Sequence, residues 1–139
     1  MKKIRAIAVM LVMTLILAQL PMLSASADTY GDFSYTVLSD GTAAIASYSG
    51  TDADVVIPSE INGYPVTSIG WGAFENCTSL ASVTIPDSVT FIGISAFYNC
   101  TSLSSITIPD SVNSISLCAF KNCTSLASIT IPDSVTSIG

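Results

Sequence analysis

Apolar positions recur through the second half of the chain at a fixed spacing of 23 residues. Three consecutive blocks, 69–91, 92–114 and 115–137, share one order of apolar and polar residues, and the third block matches each of the others at 17 of 23 positions. A period of this length is the sequence signature of a solenoid. The pattern therefore predicts stacked coils, in which neighbouring coils together build a core that no single coil could form.

Within the first block, the alternation of side chains indicates a short strand. Leu80, Val83 and Ile85 have the spacing of side chains that point inward, whereas Ser82 and Thr84 alternate with them and face outward. A Pro-Asp-Ser turn follows, and an Ala-Phe pair then closes the coil. We expect a β-rich solenoid of 23-residue leucine-rich repeats with short strands and short helical turns.

Identical blocks that stack should place equivalent side chains in columns. Gly70 and Gly93 form one column, where a positive φ is expected, although Ser116 at the same position shows that glycine is not essential there. The three cysteines of one column cannot all form disulfides with one another, and the fourth cysteine, Cys118, lies outside the column. Free thiols packed in the turn are therefore favoured over disulfides. The other columns contain Phe74, Phe97 and Phe120; Asn76, Asn99 and Asn122; and Cys77, Cys100 and Cys123.

The segment 28–68 lacks the period and is interpreted as an N-terminal β cap with a first irregular repeat, followed by the repeats of 69–139. It contains two strand candidates, 33–38 and 43–48, separated by a Ser-Asp-Gly turn. The stretch 55–58 resembles the end of a repeat strand, and a longer loop is expected over 60–67. Solenoids need an atypical end coil of this kind to cover their core.

The first 27 residues have the order of a secretory signal peptide. Three basic residues precede an apolar run over 6–18, and small residues lead up to Ala27. The apolar run is short for a membrane span. We expect cleavage between Ala27 and Asp28, and therefore a secreted or cell-surface location.

The repeat resembles the BspA-type, or treponemal-type, leucine-rich repeat. This resemblance implies bacterial surface or secreted proteins, several of which act as adhesins for host matrix proteins while others flank enzymatic or anchoring domains. It supplies no shared catalytic residues. The matching positions are Leu80, Val83, Ile85, Pro86, Val89, Ile92, Gly93, Ala96, Phe97 and Cys100, with 57–58 and 62–66 resembling the usual entry to such arrays.

The charge balance excludes several kinds of partner. Removal of the leader leaves one lysine, Lys121, against ten acidic residues, a net charge of −9, and the chain contains no histidine. Such a chain lacks the cations that neutralise phosphates, so nucleic acid and anionic membrane surfaces are not expected partners. Without histidine, Ser-His and Cys-His catalysis is absent. We expect no enzyme activity and no cofactor.

A surface of hydroxyl side chains on the expected concave face is the candidate binding site, for an extracellular protein or glycan that includes host matrix. Ice binding through its threonines, Thr84, Thr107 and Thr130, is a further possible function. A carboxylate row formed by Asp87, Asp110 and Asp133 is interpreted as solvated turn residues rather than a metal site, since one carboxylate per coil is a thin supply for calcium. The hydroxyl surface consists of Ser82, Thr84, Ser105, Thr107, Ser128 and Thr130.

The function expected from these features is an adhesin-like interaction module. The alternative is a non-catalytic repeat segment of a larger, truncated cell-surface enzyme. The chain stops early in a fourth block, at Gly139, which suggests an incomplete array. We expect a final strand containing Leu126, Ile129 and Ile131 to have an unpaired side, and the uncapped end to favour self-association.

Overall fold

The computed structural model describes residues 27–139, which form eleven strands and no helix. The predicted leader therefore lies outside the described residues, apart from Ala27. Each strand is short, as expected where a chain turns several times within 23 residues. The strands are β1 (Asp28–Tyr30), β2 (Phe33–Val37), β3 (Ala43–Tyr48), β4 (Asp54–Val56), β5 (Glu60–Ile61), β6 (Tyr64–Ile69), β7 (Ser82–Thr84), β8 (Phe91–Ile92), β9 (Ser105–Thr107), β10 (Ser114–Ile115) and β11 (Ser137–Ile138).

The strands form two sheets whose ladders run from coil to coil. The first sheet has the order β1-β2-β3-β6-β8-β10-β11, with β5 paired to β6 at its side. Its first three strands are antiparallel and the pairs from β3 to β11 are parallel. The second sheet has the order β4-β7-β9 and is parallel throughout. This arrangement confirms the predicted β-solenoid.

The inward positions predicted from the period form the core. Leu80, Val83 and Ile85 are buried, and Ile69 pairs in register with Ile92 and through it with Ile115. The alternating outward position at Thr84 is exposed. Because equivalent apolar residues lie one above the next, each coil buries the apolar side of its neighbour.

The coils close through consecutive turns rather than the short helical turns expected from the sequence. Amides bond to carbonyls three residues earlier, for example Cys77 to Phe74 at 3.2 Å. Each closing segment has two left-handed residues four positions apart, such as Ser95 (φ 55) and Asn99 (φ 61). A helix cannot pass through left-handed residues, so the turns remain separate. The left-handed positions in the three closing segments are Gly72, Ser95 and Cys118, and Asn76, Asn99 and Asn122.

Glycine stands at positions 70 and 93 because the backbone of the neighbouring coil lies close, and not because these positions need a positive φ. Gly70 and Gly93 are outside the left-handed region. A Cβ at Gly70 would lie 2.6 Å from the carbonyl oxygen of Ile45, and one at Gly93 would lie 2.8 Å from that of Ile69. The expectation of a positive φ at these glycines is wrong, because it is the neighbouring coil that limits the space.

The cap consists of hairpins. β2 and β3 pair around the predicted Ser-Asp-Gly turn, where the carbonyl of Leu38 accepts from the amide of Gly41 at 3.1 Å. The loop expected over 60–67 is a second hairpin, in which β5 and β6 flank Asn62 (φ 50) and Gly63 (φ 87). Two positive φ values in a two-residue connection are typical of the Asn-Gly hairpin turn.

A stack of aromatic rings joins the cap to the repeats. The ring of Phe97 lies 5.0 Å from Phe74 and 5.4 Å from Phe120, nearly parallel to both. Tyr48 of β3 continues the stack at 5.4 Å from Phe74, and Phe33 of β2 lies 5.1 Å beyond it. The cap therefore extends the aromatic column predicted for the repeats.

The last coil within residues 27–139 has only one strand ladder to the coil before it. β11 pairs with β10, but residues 128–130 form no strand, so the second sheet ends at β9. The expected final strand is therefore absent there. Leu126 and Ile129 are only half-buried and Ile131 is exposed, because no further coil among residues 27–139 covers them.

Candidate functional site

The hydroxyl surface predicted from the sequence is only partly assembled on strands. Ser82 pairs with Ser105 and Thr84 with Thr107 on β7 and β9, so these four lie in two adjacent rows. Three of them are exposed, whereas Ser82 is half-buried and its hydroxyl donates to a carboxylate oxygen of Asp54. The remaining two members of the predicted surface, Ser128 and Thr130, are exposed but do not belong to a strand.

The carboxylate row of the turns is fully exposed. Asp87, Asp110 and Asp133 each follow a proline on the surface of their coil. Within residues 27–139, no three His, Cys, Asp or Glu side chains are gathered as a metal site requires. The serines after these aspartates tie coil to coil instead, since the hydroxyl of Ser111 donates to the carbonyl of Val89 at 2.7 Å.

The thiol column is packed against the preceding coil. The thiol of Cys100 donates to the carbonyl of Phe74 at 3.0 Å, and that of Cys123 to the carbonyl of Phe97 at 3.1 Å. All four cysteines are free. Burial raises the pKa of Cys100 to about 12, with a smaller effect of the neighbouring thiols, and burial also raises the pKa of Cys77 and Cys123. Protonated thiols are poor nucleophiles, so the raised pKa values favour a packing role for this column.

The asparagine column has a structural cause. Asparagine tolerates the left-handed conformation better than most residues, because its short polar side chain bonds locally. The amide of Asn99 also donates to the side-chain oxygen of Asn76 at 2.8 Å, and that of Asn122 reaches the hydroxyl of Tyr98 at 3.4 Å. These contacts account for the repeated asparagine without a ligand.

An exposed apolar stripe was missed by the sequence reasoning. Trp71, Ile94 and Leu117 occupy the same position in three successive blocks and are 77%, 48% and 59% exposed. Backbone bonds stack these positions, with the amide of Gly72 donating to the carbonyl of Ile94 at 2.9 Å and the amide of Ser95 to that of Leu117 at 3.0 Å. The signal was an apolar residue two positions after the core isoleucine of every block. We call these three residues the apolar stripe.

A small cleft lies at the N-terminal end of the second sheet, between the turn that joins β1 to β2 and the strand β4. Its volume is about 190 Å³. The hydroxyl of Tyr48 donates to Asp52 at 3.3 Å, and burial, followed by the charge of Asp52, raises the pKa of Tyr48. The lining residues are Tyr30, Gly31, Asp32, Phe33, Tyr48, Asp52, Asp54, Val55 and Val56.

No helix among residues 27–139 has the length and apolar character needed to cross a membrane.

Comparison with known proteins identifies similar repeats. A family model described as the BspA type leucine rich repeat region matches residues 53–139 in six copies. The chain is similar to a leucine-rich repeat protein of T. pallidum, with 39% identity and a TM-score of 0.77 over 82% of this chain and 54% of that one. It is also similar to a leucine rich cell surface protein of Faecalibacterium prausnitzii, with 42% identity and a TM-score of 0.75 over 83% of this chain and 33% of that one.

A leucine-rich repeat protein of Bacteroides capillosus is similar over 82% of this chain and 88% of its own, with 37% identity and a TM-score of 0.75. The chain spans about half of the T. pallidum protein and a third of the F. prausnitzii protein. A search of the curated proteins found no match.

Proposed function

Because the chain belongs to the family of BspA-type leucine-rich-repeat proteins, we propose that it is a secreted or cell-surface module that binds an extracellular protein or glycan through a face of its repeats. Stacked repeats present extended surfaces that are commonly used for binding. A similar structure is that of a bacterial cell surface protein, and the leader predicted over 1–27 agrees with export. In this proposal the chain binds and performs no catalysis.

The observation that carries the proposal is the apolar stripe. A single exposed apolar residue is ordinary, but three in register form a contiguous patch, and such patches mark interaction sites. Trp71 is the only tryptophan of the chain and is 77% exposed. Tryptophan is enriched among the residues that contribute most to protein interfaces. The stripe therefore favours a protein ligand.

The hydroxyl rows on β7 and β9 are a second candidate face for the same function. Their exposed members, Thr84, Ser105 and Thr107, present hydroxyl groups that both donate and accept, as a glycan ligand requires. The hydroxyl rows lie on the second sheet, whereas the apolar stripe lies in the closing turns that follow β6, β8 and β10, so substitutions can test the two faces separately.

Binding to immobilised collagen, laminin and mucin would test the proposal. The variant with Trp71, Ile94 and Leu117 all changed to serine should bind about tenfold or more weakly, since aromatic anchors commonly contribute about 2 kcal/mol or more. The matched control changes Val37 and Tyr64, which are exposed apolar residues outside the stripe, to serine.

A third variant carries Thr84→Arg and Thr107→Arg. If this variant loses binding while the stripe variant retains it, the hydroxyl face is the site. If the unmodified chain binds none of the three ligands, the adhesin proposal fails for matrix proteins and mucins.

A further inference from the structure

We propose that the free edge of β4 binds an extended peptide segment carrying a lysine or arginine, which adds a fourth strand to the second sheet. The site is formed by β4 and the cap, so it does not rest on either repeat face described above. Addition of a strand to an exposed sheet edge is a common mode of peptide recognition.

The cap covers only one of the two sheets. In the first sheet, β3, β2 and β1 continue the ladder on the N-terminal side of β6. In the second sheet, β4 is the terminal strand, and among the described residues it pairs only with β7. Among residues 27–139, the N-terminal edge of this sheet therefore has no paired strand.

The hydrogen bonds to β7 show which groups of β4 are unpaired. The carbonyl of Ala53 accepts from the amide of Ser82 at 2.9 Å, and the amide of Ile57 donates to the carbonyl of Thr84 at 3.0 Å. Because backbone groups alternate in direction along a strand, the N–H and C=O groups of Asp54 and Val56 point away from β7. These groups are available to an added strand.

The cleft beside this edge has the size of one side chain. Sites for small ligands usually measure about 300–1,000 Å³, whereas this cleft measures about 190 Å³. It lies directly against Asp54, Val55 and Val56. A strand paired with β4 would thus direct one of its side chains into the cleft. Val56, which is 69% exposed, provides an apolar contact for the next residue.

The chemistry of the cleft selects a cation. Asp32, Asp52 and Asp54 line it together with the rings of Tyr30, Phe33 and Tyr48. Within residues 27–139, the only lysine or arginine is Lys121, which belongs to the third closing turn rather than to the cap. Carboxylates and aromatic faces both attract lysine and arginine side chains.

The probe for the test is a fluorescein-labelled peptide, Thr-Val-Lys-Val-Thr, added to the purified full chain. Anisotropy should report saturable binding that weakens with added salt, because the carboxylates are exposed. The backbone amides of Asp54 and Val56 should become protected from hydrogen exchange. The same peptide with glutamate in place of lysine should bind more weakly.

Two pairs of variants separate the edge from the charge. Val56→Pro removes a donor that points away from β7, whereas Val56→Thr keeps it, so only the proline variant should weaken binding, by about fivefold. Asp32→Asn with Asp52→Asn should weaken binding by about three- to tenfold. Asp87→Asn with Asp110→Asn changes the net charge equally but lies in the turns that follow β7 and β9, outside the cleft, and should have little effect. Far-ultraviolet circular dichroism checks that all variants fold.

Several outcomes would overturn the proposal. It fails if the peptide does not bind at millimolar concentration, or if the two charge variants bind it equally. Equal binding by the two Val56 variants would also refute strand addition. If acetyl-lysine amide binds as tightly as the peptide, the cleft is a pocket for small cations and the edge plays no part.

Discussion

Phe97 has a ring on each side in the aromatic stack and should contribute about twice as much to stability as Phe120, the ring at the C-terminal end of the stack. It is fully buried and lies between Phe74 and Phe120, whereas Phe120 is half-buried and contacts only Phe97 within the stack. Each aromatic pair contributes about 0.5–1.5 kcal/mol beyond its buried area. Phe97→Leu should therefore destabilise the chain by about 1–3 kcal/mol and Phe120→Leu by about 0.5–1.5 kcal/mol.

Urea unfolding followed by circular dichroism would measure both losses. With a slope of about 1–3 kcal/mol per molar urea, Phe97→Leu should lower the midpoint by about 1 M and Phe120→Leu by about half of that, at unchanged slope. Val56→Thr, a substitution at a position of β4 that is 69% exposed, serves as a control with little expected effect. Equal losses at the two phenylalanines, or a larger loss at Phe120, would refute the idea that ring stacking holds the coils together.

Three further predictions concern the thiols, the last coil and the leader. Burial raises the pKa of Cys100 from 9.0 to about 12, so its contribution to stability is complete below pH 9 and is lost as the pH rises towards 12. Cys100→Ala should remove part of this alkaline loss in urea titrations. The denatured protein should react with four equivalents of a thiol reagent without prior reduction, and fewer than four would show a disulfide. Residues 28–139 alone should self-associate in analytical ultracentrifugation, and one or two added repeats with a polar cap should restore the monomer; a monodisperse monomer at high concentration would contradict this. Mass spectrometry of exported material should find Asp28 at the N-terminus, and retention of Met1 would show that the leader is not cleaved.

The repeats were predictable because the same spacing of apolar residues occurs in three successive blocks. Leu80, Val83 and Ile85 could be placed inward from their spacing, since every block repeats it and only a stacked core satisfies all three. The backbone conformation of the closing turns was harder to predict from the sequence. An Ala-Phe pair is compatible with a helical turn, and only the backbone shows that Ser95 and Asn99 are left-handed.

The cap could not be predicted to the same depth. Its sequence occurs once, so no repeat separates core positions from surface positions. The Asn62-Gly63 pair is a recognisable hairpin turn signal, but the segment 60–67 was predicted to be a loop. The cleft combines Asp32 and Asp52, which flank the β2–β3 hairpin, with residues 54–56 of β4, and the sequence does not show that the turn between β1 and β2 lies against β4. Contacts of this kind leave no pattern along the chain.

The two sheets end at different coils, and this difference in length should make local unfolding start at the C-terminal coil. Within residues 27–139 the first ladder continues to β11, whereas the second stops at β9, so the last coil has only one strand ladder to its neighbour. In a solenoid each coil touches only its neighbours, and the cost of opening is therefore local. Local unfolding of residues 28–139 should therefore begin at β11 and continue to β10. The amide hydrogens of β6 and β8 should exchange last.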